Sequence, residues 1–267
     1  MSKFNTLEVN REKGVARVWL NRPDVRNAFN DQMIKELTQI FIDLASDDSC
    51  RVIVLGGKGS VFCAGADLNW MKKMATYTQA QNQSDAEKLS EMLDLLYRIP
   101  KPTIARVHGH AFAGGMGLVS ACDIAVASTK TQFCLSEVKL GLIPATIGPY
   151  VFNSLGFRAA RRYMLSGERF SSHEAYRIGF VHEVVEQEEI DAKTDTLIGE
   201  LISGGANAHR ETKLLIEQIH QSTLDRSLIM DTASRIARIR TSDEGQEGIR
   251  SFLEKRPPSW ISDSGEQ

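Results

Sequence analysis

The chain has 267 residues, 32 Lys plus Arg against 34 Asp plus Glu for a net charge of −2, and 42% apolar residues. This near-balance lacks the cationic excess that neutralises phosphates, which excludes a nucleic-acid partner. No apolar run approaches the roughly 20 residues of a membrane span, and the length suits one large soluble domain or a main domain with an appendage.

The polar stretch 1–9 has no apolar signal region, so a cytoplasmic protein is expected. Residues 6–11 and 15–21 read as two strands around the turn Glu12-Lys13-Gly14. From Asp31, apolar Ile34, Leu37, Ile40, Phe41 and Leu44 recur with a helical period that ends at Ser46-Asp47-Asp48. The β-branched run 51–55 (RVIVL) then predicts a buried strand before Gly56-Gly57. Strand, helix and strand at this spacing make a parallel crossover. A polar-faced helix is expected over 79–97, broken by Pro100 and Pro102, and 103–107 (TIARV) is a second buried strand. The glycine-rich stretch 108–117 and a short helix lead to a third, 123–127 (DIAVA). Arg158, Arg161 and Arg162 stand at helical spacing, as on a solvated or subunit-contacting face. Ser171 with Glu174 has capping-box spacing for a helix ended by Gly179, and 181–185 follows as a strand. Helical patterns then dominate to about Leu253, with apolar residues such as Leu214, Leu215, Ile219, Leu224, Ile229, Ile236 and Ile239 exceeding one core stripe. The expected organisation is a layered α/β core over 1–186 and a helical C-terminal region over 187–267, in which 257–267 reads as a polar tail.

Cys50, Cys63, Cys122 and Cys134 are scattered singly, with no CxxC pair, which rules out the usual metal and redox motifs. Each lies in or beside an apolar stretch, where Cys behaves as a small buried hydrophobe. His108 and His110 flank Gly109 without a third ligand, so a structural pair is expected and no metal site. Two turns stand out, 62–68 (FCAGADL) and 109–117 (GHAFAGGMG), each leaving a strand and entering a helix. Small residues there let ligand atoms approach the backbone, and a helix start offers unpaired N–H donors. The second turn lacks the dinucleotide spacing GxGxxG, and no GxSxG elbow occurs.

Asn21-Arg22-Pro23 with Asn27-Ala28, the 62–67 turn, Lys101-Pro102-Thr103-Ile104-Ala105, Gly114-Gly115, Ala121-Cys122-Asp123, the run 133–144 and the late Phe252-Leu253-Glu254-Lys255-Arg256 follow in order. Together they resemble the enoyl-CoA hydratase/isomerase (crotonase) superfamily over essentially the whole chain. The resemblance implies a crotonase-like α/β spiral of ββα units with a helical C-terminal trimerisation region, as a homotrimer or dimer of trimers. It implies an acyl-CoA thioester substrate and no metal or redox cofactor, coenzyme A being part of the substrate. By position, the backbone N–H groups of Ala66 and Gly114 would form an oxyanion hole that stabilises the enolate of the thioester. Ala64, Ala66, Asp67 and Leu68 would border the coenzyme A path and Arg26 would meet its phosphates. Phe252 and Lys255 would lie on a segment reaching the coenzyme A of their own or a neighbouring subunit.

Two-glutamate hydratases carry an acid/base pair; Glu137 corresponds to the second member, and Gly117 replaces the first. Glu137 lies between apolar neighbours, where burial would raise its pKa toward a useful acid/base value. The run 133–147 is most similar to bacterial methylglutaconyl-CoA and carboxygeranoyl-CoA hydratases of leucine and acyclic-terpene breakdown. The reading is therefore a hydro-lyase adding water to a branched, carboxylated 2-enoyl-CoA. Its alternatives are a one-glutamate Δ3,Δ2-enoyl-CoA isomerase and, in another class, a catalytically weak CoA-thioester binding homologue. A dienoyl-CoA isomerase aspartate would fall at Ala145, against that activity. Trp70, Met74 and Met116 are candidates for lining the acyl pocket, Trp70 being equally a candidate for the core or an interface.

Overall fold

Alternating apolar residues close the first hairpin, β1 (Leu7–Glu12) with β2 (Val15–Leu20), through Lys13 and Gly14 at positive φ. The computed structural model describes residues 4–262. The remaining strands are β3 (Val52–Gly57), β4 (Thr103–Val107), β5 (Ala111–Phe112), β6 (Ile124–Ser128), β7 (Gln132–Cys134), β8 (Arg169–Ser171) and β9 (Glu183–Val185). They form a six-stranded sheet in the order β1-β2-β3-β4-β6-β9, parallel from β2 onward, and a small sheet β5-β7-β8. The helices are α1 (Asp31–Ser46), α2 (Leu68–Met74), α3 (Gln79–Arg98), α4 (Gly114–Ala121), α5 (Gly148–Ser166), α6 (Ser172–Arg177), α7 (Ile190–Ser203), α8 (Ala206–Gln221), α9 (Arg226–Arg240), α10 (Asp243–Glu254) and α11 (Ser259–Ser262).

Strands buried on both faces read as near-continuous apolar runs, and here the two faces have separate cores. On one, residues such as Val18, Ile53, Leu55 and Val107 pack with Leu37, Phe41 and Leu44 of α1, Leu93 of α3 and Leu118 of α4. On the other, Val52, Val54, Ile104 and Val126 pack against Ile190 and Ile198 of α7. Each such aliphatic side chain contributes about 1.5–3 kcal/mol on full burial. Helix α7 follows residue 186 in the chain, yet it forms the second layer on the main sheet.

Several local expectations are corrected. Strand β3 runs on through Gly56 and Gly57, which pair with Trp19 and Leu20 of β2, and the bare Gly56 leaves room for the Trp19 ring, 2.5 Å from where a Cβ would stand. Val181 and His182 stay outside β9. The expected capping box at Ser171 is only half made. Ser171 Oγ accepts the Glu174 N–H at 3.2 Å, but the Glu174 carboxylate takes Tyr163 Oη at 2.9 Å and the Arg177 guanidinium. The reciprocal box lies instead at Thr78 and Gln81. Of the supposed tail, residues 259–262 form α11, whose Trp260 Nε1 donates to the Ser203 carbonyl at 3.0 Å, and residues 263–267 lie outside the described residues. Arg158, Arg161 and Arg162 are exposed on α5. Among the described residues no helix is long and apolar enough to cross a membrane.

Candidate active site

The two glycine-containing turns are laced together. Cys63 N–H donates to the His110 carbonyl (3.1 Å) and Phe112 N–H to the Cys63 carbonyl (2.9 Å). A Cβ on Gly115 would lie 2.7 Å from the Cys63 carbonyl oxygen, so only glycine permits this approach. A third segment joins them: Ala64 N–H donates to Arg26 (3.0 Å), Phe29 N–H to Gly65 (2.7 Å) and Asp67 N–H to Phe29 (2.8 Å). These last two bonds bracket Ala66 and turn its own N–H away from Phe29. Among the described residues the Ala66 and Gly114 N–H groups have no acceptor, and both residues are half-exposed. Gly114 opens α4 after Ala113, whose φ of 47° and ψ of −116° are unusual for a residue with a Cβ.

Asp67 is 5% exposed. Its Oδ1 accepts from the Asn69 N–H (2.8 Å) and the Trp70 N–H (3.3 Å), capping α2, while Oδ2 accepts from Arg22 Nη2 (2.8 Å). Burial alone would raise this carboxyl's pKa, but the Arg22 and amide hydrogen bonds outweigh it and hold it below the ordinary range. The Asp67 side chain is thus committed inward, which leaves only its backbone for the border of the coenzyme A path implied for it. Asn27, fully buried, accepts the Arg22 N–H at 2.9 Å and donates to the Lys58 (2.9 Å) and Val61 (2.8 Å) carbonyls. Sequence reasoning gave Arg22 and Asn27 no role in the site. The polar run 21–27 (NRPDVRN), directly after strand β2 and before α1, was the signal that could have shown it.

Glu137 reaches the same place from β7. Strands β5 and β7 are parallel, with Phe112 opposite Cys134, and Ala113 N–H donates to the Cys134 carbonyl at 2.8 Å. Neighbouring strands lie about 4.8 Å apart, so the segments leaving them, one carrying Gly114 and the other Glu137, run side by side. Glu137 Oε2 is buried without a hydrogen-bond partner among the described residues, and desolvation raises its pKa. The pairings of Ala111 with Phe133 and of Cys63 with Ala111 thus bring the segments that carry Glu137, Gly114 and Ala66 together. At Gly117 a Cβ would fall 2.4 Å from Ile147 Cγ2, so Ile147 fills the room that a side chain there would need.

The model of the enoyl-CoA hydratase/isomerase family matches residues 10–263. The chain belongs to this family. An enoyl-CoA hydratase structure from Shewanella pealeana superposes with a TM-score of 0.94 at 42% identity, covering 97% of each chain. The short-chain-enoyl-CoA hydratase of Clostridium acetobutylicum is 30% identical over 95% of this chain and 97% of its own. The crotonyl-CoA hydratase of Syntrophomonas wolfei is 28% identical over 97% and 99% respectively. The expected crotonase-like α/β fold is therefore present.

Other residues implied for an enoyl-CoA hydratase/isomerase separate into those at the site and those remote from it. Ala64 and Leu68 flank Ala66, and Leu68 is 75% exposed at the start of α2. Arg26 is exposed beside Ala64, its guanidinium unpaired among the described residues. Phe252 (82% exposed) and Lys255 stand at the end of α10, which packs on α8 and α9, and one chain does not join them to the site. Met116 is a buried member of the main core, as is Trp70, for which a core place was the alternative reading, and Met74 packs against it. His108 Nε2 contacts the Gly59 carbonyl at 2.9 Å, tying down the turn before residue 62. The described residues contain no grouping of three His, Cys, Asp or Glu placed to hold a metal ion.

Proposed function

We propose that the protein is an enoyl-CoA hydratase whose substrate is a branched, carboxylated 2-enoyl-CoA such as 3-methylglutaconyl-CoA, in leucine or acyclic-terpene catabolism. What supports the reading is that the N–H groups of Ala66 and Gly114 and the buried oxygen of Glu137 are unpartnered among the described residues, on segments joined by strand pairing. The donors hold the thioester oxygen as it becomes an enolate, in a partly dry site where such hydrogen bonds act strongly. Water oxygen bonds to C3 while Glu137 accepts one water proton; Glu137 then delivers that proton to C2 and the carboxylate is regenerated. No step needs a metal or redox cofactor. Because Gly117 supplies no second carboxylate, an acid carried on the acyl chain would help to orient the water. Names such as crotonyl-CoA hydratase among the relatives make a straight-chain substrate the competing class. We also propose a cytoplasmic homotrimer or dimer of trimers, in which the exposed end of α10 would reach coenzyme A.

The test is incubation with 3-methylglutaconyl-CoA in water carrying heavy oxygen. The expected product is 3-hydroxy-3-methylglutaryl-CoA with the label at C3, formed faster than from a straight-chain enoyl-CoA of similar length. Ile147 against Gly117 favours a second reading, since a lone carboxylate suffices for a Δ3,Δ2-enoyl-CoA isomerase moving a proton between C2 and C4. Rapid conversion of a 3-enoyl-CoA to the 2-enoyl-CoA with no oxygen uptake by any substrate would establish that reading instead. Turnover of neither class would leave the thioester-binding homologue.

A further inference from the structure

Both candidate donors are backbone groups on different loops, so something must set the gap between them. One side chain and its own backbone touch both. Phe29 N–H and C=O bond to Gly65 (2.7 Å) and Asp67 (2.8 Å) on either side of Ala66. Its ring lies against Gly114, where a Cβ would fall 2.8 Å from Phe29 Cε2 and 2.9 Å from Cδ2. Phe29 is 1% exposed, and it is anchored at both chain ends. On its N-terminal side Arg22 Nη1 donates to the Ala28 carbonyl at 2.6 Å, and on its C-terminal side Asn30 caps α1 through the Met33 N–H at 2.9 Å.

We propose that Phe29 is the positioning residue that sets the separation of the Ala66 and Gly114 N–H groups, its backbone fixing one and its ring the other. This rests on the reading of those two groups as the oxyanion donors. The ring acts as a spacer: a smaller side chain would let α4 settle toward the 27–30 segment and draw the Gly114 N–H off the thioester oxygen. Misplacement of a reacting contact by about 1 Å can cost on the order of 10²-fold in rate.

The experiment compares wild type, Phe29→Leu and the control Phe41→Leu, an equally buried phenylalanine on α1, by kinetics and infrared spectroscopy. The spectroscopic probe is saturated butanoyl-CoA with an isotope-labelled thioester carbonyl, at saturating concentration. In wild type the bound carbonyl band should fall below its free position. In Phe29→Leu it should return part of the way, with kcat lowered about 10–100-fold and KM unchanged. Phe41→Leu should lower the melting temperature without moving the band. A folded Phe29→Leu with the wild-type band position, or a loss of rate expressed in KM alone, overturns the role of Phe29. A wild-type band that does not shift on binding overturns the oxyanion reading itself, whatever the variant does. Should Phe29→Leu not fold, Phe29→Met carries the same comparison.

Discussion

Glu137 has one carboxyl oxygen buried without a partner, and burial raises its pKa. A buried, unpaired carboxylate is costly in the folded state, so the fold holds the proton more tightly than the unfolded chain does. The protonated group therefore contributes stability at pH below the ordinary carboxylate range, and this is lost as pH rises through the raised folded value. Glu137→Gln should abolish that part of the pH dependence of melting while lowering kcat by about 10²–10⁴, the range for a positioned acid/base. Near-wild-type turnover would remove Glu137 from the mechanism. In wild type the rate should fall on the acid side at a pH above the ordinary carboxylate range. Gly117 makes the converse case. Gly117→Glu drives a side chain into Ile147 at 2.4 Å, so denaturant titration should show a loss of about 1–3 kcal/mol from overpacking. Hydration should not improve. The roles proposed for Glu137, Ala66 and Gly114 come from the sequence, because each belongs to a recognisable run of residues. Ile147 was not, because its fit against Gly117 joins positions thirty residues apart.

At the level of elements, α2 depends on Asp67, which caps its N-terminus and pairs with Arg22. Asp67→Ala removes both and strands Arg22, which is mostly buried, so a loss of about 3 kcal/mol is expected in urea unfolding. The Asp67 pKa is depressed, so its contribution is present above the ordinary Asp range and lost as pH falls through the folded value. Wild type and Asp67→Ala should converge in stability in strong acid, and a constant gap across pH would contradict the pairing. Long periodic elements were readable from the residues: α1, α3 and β4 fall where their apolar spacing puts them. Strands β5, β7 and β8 have two or three residues each, too short for alternation to register. Of helix α5 only the face of Arg158, Arg161 and Arg162 was read, because Gly156, at φ 69° and ψ 165°, interrupts its period. At Ser171 the spacing was right, but Tyr163 and Arg177 outcompeted the backbone for Glu174.

For the whole molecule, the C-terminal helices leave apolar surface uncovered. Leu224 (82%), Leu253 (73%) and Ile216 (62%) are well exposed, as are Leu214, Ile219, Ile229 and Ile236, whereas Leu215 and Ile239 are half-buried. Large apolar side chains exposed in this number on α8, α9 and α10 are what an interaction face would need. Sedimentation at micromolar concentration should give a trimer or hexamer, and a monomer at all concentrations would refute the assembly proposed. Dialysis against a chelator should leave turnover unchanged, because two N–H donors and one carboxylate complete the proton path; loss of rate restored by a divalent ion would refute that. The boundary near residue 186 was placed by a change in composition, which does not reveal that α7 is the layer closing the second face of the main sheet.

Cys63 lies three residues before Ala66, in the loop proposed to meet the thioester. A thiolate there would attack an acyl-CoA and carry off the acyl group as an enzyme-bound thioester, since thiol–thioester exchange needs only a nucleophilic sulfur. Burial pushes the Cys63 thiol up to about 12, and a protonated thiol sealed from solvent is not a nucleophile. Cys122 is likewise pushed up to about 12, and Cys50 and Cys134 are raised as well. The packing that lets the two loops close on each other through Cys63 and Gly115 thus also keeps the catalyst from acylating itself on its own substrate.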